Sequence, residues 1–166
     1  MTENHYYNKE LNIDGTADEL YIEVRNGYRE DIEEIDKISE ILLGEGKTDK
    51  AMYCLFEIES IRNKQNNEYF NFAAVKQDYL LNKMDNPDNN YPRFYKDDID
   101  LGDNIFGTIE KTPEGSIAFY IQNNDDSRVN YMTMPEKAFL DMTEDDIKRK
   151  INELLFYSIP GEKEIP

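Results

Sequence analysis

The sequence predicts an α+β fold in one small domain: an N-terminal β-hairpin, three helices, a three-stranded antiparallel meander and a C-terminal helix. Apolar residues recur every three or four positions between Arg29 and Lys83, the period of a helix face. From Asn104 to Met134 they alternate between turn signals, the period of a half-buried strand. A length of 166 residues fits one domain, residues 1–166, and suffices to bury about 70% of the surface the unfolded chain exposes.

The elements follow in order. His5 to Ile13 and Glu19 to Arg25 flank Asp14-Gly15, a turn signal, and read as a strand pair; in the second, Leu20, Ile22 and Val24 alternate with Glu19, Tyr21 and Glu23. Ile32, Ile35, Ile38, Ile41 and Leu42 then form one helix stripe, stopped by Gly44 and Gly46. Thr48 is placed to cap a second helix with apolar positions Ala51, Cys54, Leu55, Ile58 and Ile61. A third is expected from about Asn67 to Lys83, burying Phe72, Val75, Tyr79 and Leu80. Residues 84–103, rich in Asp and Asn with two prolines, read as an acidic loop between a helical and a sheet-rich half. Asn104–Thr112 and Ser116–Asn123 make a hairpin around Pro113-Glu114-Gly115, and Arg128–Met134 adds a third strand. A short helix runs from Pro135 to Leu140. The last is capped by Thr143, with Glu144, Asp145 and Asp146 in its first turn and Ile147, Ile151, Leu154 and Leu155 as its stripe.

Composition narrows the function classes. Only 39% of residues are apolar and 33% are charged, so the core is small and the exterior dense in charge. The 12% aromatic share, spread along the chain, argues for folding over disorder. Cys54 is the sole cysteine, which excludes a disulfide or a multi-cysteine metal site within one chain. Met1 to Lys9 is polar, no apolar run approaches a membrane span, and a cytoplasmic protein is expected. Thirty-six acidic residues against nineteen basic ones leave a net charge of −17, which repels anionic lipid and the nucleic-acid backbone alike. Residues 1–83 carry 18 acids and 10 bases, and residues 84–166 carry 18 and 9, so the excess belongs to the folded body and is no acidic tail.

Catalytic readings lack parts. The single histidine, His5, lies near an end, and Cys54 lies on a packed helix face where a thiol is inert. Gly44-Glu45-Gly46-Lys47-Thr48 resembles the end of a phosphate loop, but Ile41 stands where its first glycine belongs. Asp97-Asp98-Ile99-Asp100-Leu101-Gly102-Asp103 invites a calcium reading, yet Asp103 takes the place of the required glycine and no Glu occupies position twelve. The expectation is a protein that is no enzyme and needs no cofactor or metal.

The acids point to a basic macromolecular partner. DNA carries one charge per about 1.7 Å of axis, so the −17 of this chain matches roughly 29 Å of duplex. Glu30, Glu33, Glu34 and Asp36 step along one helix, and Asp97, Asp98, Asp100 and Asp103 extend such a row. Tyr91, Phe94 and Tyr95, in Tyr91-Pro92-Arg93-Phe94-Tyr95, are candidate contact anchors. The expected function is inhibition of a nucleic-acid-binding protein or nuclease, by nucleic-acid mimicry of the anti-defence kind found in phages and mobile elements. The alternatives are an immunity protein neutralising a basic toxin, and an acidic structural or adaptor protein whose carboxylates form a solubilising coat.

Overall fold

A computed structural model describes residues 3–66, 70–86, 94–125 and 127–157. The class is α+β, with six helices and two antiparallel sheets of two and four strands among the described residues. The chain divides into two compact units, Met1–Asn67 and Glu68–Pro166, so the division falls ahead of the third long helix and not within residues 84–103.

The first unit opens with β1 (His5–Asn8) and β2 (Ile13–Thr16), paired His5 to Thr16 through Asn8 to Ile13. Asp14-Gly15 therefore lies inside β2, and the turn is made earlier, with Asn12 at φ 55° and its N–H donating to the Lys9 carbonyl. Glu19–Arg25, expected as a strand, is helical: it belongs to α1 (Ala17–Arg25). The reason is local. The Thr16 side chain accepts from the Glu19 N–H while the Glu19 carboxylate accepts from the Thr16 N–H, a capping box that starts a helix. The helix buries Ala17, Leu20, Tyr21 and Val24 and leaves Ile22 exposed, so the apparent alternation had no sheet behind it.

Asp31 caps α2 (Ile32–Gly44), accepting from the N–H groups of Glu33 and Glu34. Gly46 ends this helix in a Schellman turn at φ 76°, with Gly46 N–H donating to Leu43 and Lys47 N–H to Leu42. α3 (Thr48–Gln65) follows at once; Thr48 is its first residue, and no side chain caps it. Leu20, Tyr21, Ile35, Ile38, Leu42, Ala51, Cys54 and Ile58 fill the core of this unit.

In the second unit α4 (Phe72–Asp85) is capped by Asn71, and the Glu144 carboxylate accepts from the Phe72 N–H at 3.0 Å. The acidic segment then corrects expectation. Tyr95–Asp100 is a strand, β3, paired with β4 (Ile105–Lys111), which pairs with β5 (Ile117–Asn123) and then β6 (Arg128–Met134). The sheet has four strands, not three, in the order β3-β4-β5-β6. β3 is an edge strand with a bulge between Lys96 and Ile99, where only Ile99 is buried, so its composition is that of a loop. α5 (Glu136–Asp141) and α6 (Glu144–Tyr157) complete the unit. Ile99, Ile109, Phe119 and Ile121 lie on one sheet face and share the core with Phe72, Tyr79, Phe139 and Ile147 of the helices. Gly107 leaves room for the Phe119 ring there, since a Cβ at that position would sit 2.9 Å from it.

Candidate functional site

Of the acids foreseen on one helix, Glu33, Glu34 and Asp36 lie on α2, whereas Glu30 precedes the Asp31 cap and stands outside it. Glu30, Glu33 and Asp36 are exposed, and among the described residues none of them pairs with Lys or Arg. Glu34 is half-buried and structural: it accepts from Arg29 at 2.8 Å, while Glu23 accepts from the same guanidinium at 2.7 Å. Arg29 also donates to the carbonyls of Leu11 and Asn12, tying the hairpin turn to the α1–α2 connection. Burial opposes the charge on Arg29, and its two carboxylate partners overcome that and raise its pKa.

The acids around β3 are exposed. Asp97 accepts from the Thr108 hydroxyl at 2.7 Å, Asp100 accepts from the Gly102 N–H at 2.8 Å, and Asp98 and Asp103 adopt positive φ. Tyr91 lies outside the described residues. Phe94 is buried with its ring edge-on to Tyr79 at 5.4 Å, so it pins the strand to α4 instead of serving a partner. Tyr95 next to it is exposed.

The register reveals a surface that composition alone did not. On the sheet face away from the buried isoleucines, one row runs Tyr95, Glu110, Ala118, Thr133. The next runs Asp97, Thr108, Tyr120, Tyr131, and the third Asp100, Phe106, Gln122, Val129. Carboxylates therefore stand on β3 and β4 beside Tyr95 and Phe106, while Tyr120, Tyr131 and Val129 continue the face toward β6, and no Lys or Arg occupies these rows. Tyr120 and Tyr131 lie 5.7 Å apart with rings tilted by 34°, and the Tyr120 hydroxyl donates to Glu110 at 3.1 Å. Tyr95, Asp97 and Asp100 of this face were foreseen from the sequence, whereas for its β6 side the sequence signal is the odd-numbered series Val129, Tyr131, Thr133. It competes with Met132 and Met134 on the other face of the same strand.

Cys54 and Lys76 are taken up in packing, whereas His5 is exposed. Burial pushes the Cys54 thiol up to about 12, which leaves it protonated and inert at neutral pH. Buried Lys76 donates to the Met142 carbonyl at 2.6 Å and lies over the Phe72 ring, holding the α5–α6 connection. His5 sits on β1, its ring hydrogen-bonded to Asp14 at 2.5 Å. Among the described residues no group of three His, Cys, Asp or Glu side chains is arranged to hold a metal, and no helix is long and apolar enough to cross a membrane. Comparison with known proteins finds no matching family model, no similar curated protein and no similar solved structure.

Proposed function

We propose that this chain is a non-enzymatic cytoplasmic inhibitor that binds a basic nucleic-acid-binding protein or nuclease, offering carboxylates where that partner expects phosphates. The observation that carries the reading is charge left over after internal pairing. Residues 1–67 hold 16 acids and 8 bases, and residues 68–166 hold 20 and 11, so each unit is separately acidic. Glu30, Glu33 and Asp36 in the first unit, and Asp97, Asp98, Asp100 and Asp103 in the second, stay exposed without a Lys or Arg partner among the described residues. Self-repulsion of this size costs compactness, and attraction of a cationic groove offsets that cost in the complex. The anti-defence role of a phage or mobile-element protein fits such a target.

The exposed tyrosines favour a second reading on the same electrostatics, an immunity protein that plugs the cationic site of a toxin. Affinity capture from the host cell tests both, with identification of what binds at about 50 mM salt and leaves by about 500 mM. A basic nucleic-acid-binding protein or toxin is the expected catch. Retention of neutral or acidic proteins, indifferent to salt, contradicts the proposal.

A further inference from the structure

We propose that the outer face of the four-stranded sheet is where an arginine-bearing segment of the basic partner docks, with Tyr95 and Tyr131 as stacking platforms and Asp97 and Asp100 as the receiving carboxylates. The inference rests on the reading that the partner is cationic and adds to it a location and a side-chain chemistry.

Tyr131 is 63% exposed, Val129 58% and Tyr95 58%, although each belongs to a hydrogen-bonded strand of the sheet. Single exposed apolar groups are ordinary; here they occupy adjacent rows of one surface. Strands lie about 4.8 Å apart, so Asp97 and Tyr131, at the two ends of one row, are separated by about 14 Å. Along that row an extended basic segment crossing the strands meets carboxylate first and aromatic ring last, with Tyr95 beside the carboxylates on β3. Arginine suits both ends, because its planar guanidinium forks onto a carboxylate and stacks on a tyrosine face, whereas lysine offers only a point charge. A second copy of this chain is a poor occupant, since it brings another −17 to a face that holds no cation.

The test uses the isotope-labelled full chain and three ten-residue probes: oligo-arginine, oligo-lysine and a neutral Gly/Ser peptide. Amide shifts are followed at about 50 mM salt, where surface charge is least screened. Oligo-arginine should perturb β3 to β6 most and bind more tightly than oligo-lysine. The Tyr95→Ala/Tyr131→Ala double variant should weaken oligo-arginine roughly fivefold and change oligo-lysine less, with the amide spectrum otherwise retained. If oligo-arginine binds but its shifts fall on α2 and the tyrosine pair has no effect, the face is excluded while the cationic-partner reading stands. If neither basic peptide binds, both fail. If sedimentation shows the free chain dimerising and Tyr131→Ala abolishes the dimer, the face belongs to a second copy and the proposal is overturned.

Discussion

Arg29 shows how a single side chain organises its unit. The guanidinium is 7% exposed and serves two carboxylates and two backbone carbonyls, so its removal leaves acceptors facing each other with no donor between them. Breaking a buried ion pair typically costs about 3–5 kcal/mol, and the partly exposed Glu23 and Glu34 lower this to about 2–3 kcal/mol. We expect Arg29→Ala to lose that much in urea unfolding and Arg29→Lys to recover little of it, because an ammonium cannot serve the fork. Arg29→Lys matching the parent would contradict this. Arg29 was legible only as the start of a helical stretch. Its partners at positions 11, 12, 23 and 34 are brought together by the hairpin turn and two helix ends, which no single-helix wheel represents.

At the scale of elements, Phe94 and Tyr95 separate packing from availability. Phe94 is 5% exposed against Tyr79, whereas Tyr95 is largely in water. Phe94→Ala should cost about 3–4 kcal/mol by the transfer and cavity terms, and Tyr95→Ala less than about 0.5 kcal/mol, both read from chemical denaturation. Equal effects would show that β3 is not anchored as described. The stripes of α2 and α6 and the strands β4 to β6 were legible because one period dominates each segment, whereas α3 buries Tyr53 and Phe56 and leaves Leu55, expected in its stripe, 40% exposed. α1 was misread because Leu20, Ile22 and Val24 fit a strand, while its decisive feature, Thr16 with Glu19 three residues on, lies at the helix start. β3 was hidden for a different reason: an edge strand with one covered face needs few apolar residues, and Ile99 alone did not outweigh its aspartates. The candidate surface was half legible, its acids and Tyr95 from the sequence, and Tyr120 and Tyr131 only once strand register fixed which residues share a face.

For the whole molecule, charge sets two opposing responses to acid. Lys47 and Lys50 hold the Asp18 carboxyl below its usual range. Glu136 is raised by burial but lowered further by its bonds from Tyr79 and Lys83, for a net depression. Stabilisation from such groups is complete above the ordinary carboxylate pKa near 4 and is lost as pH falls through the depressed values. Repulsion among the excess acids instead relaxes as pH approaches the sequence pI of about 4.4. Thermal unfolding midpoints should therefore rise modestly from pH 7 toward about pH 5 and fall below about pH 4. A midpoint that falls steadily from pH 7 downward would mean that self-repulsion is negligible, and the carboxylates are a dispersed coat.

Competition at the captured partner tests most directly whether these carboxylates stand in for phosphates. A fluorescent duplex bound to that partner is titrated with the chain over a range of salt, with Glu30→Gln/Glu33→Gln and Asp97→Asn/Asp100→Asn variants alongside. We expect mutually exclusive binding, weakening with salt along a slope like that of the duplex, and weaker displacement by at least one variant pair. A ternary complex of duplex, partner and chain, with neither variant pair changing affinity, would contradict the mimicry at the centre of this account.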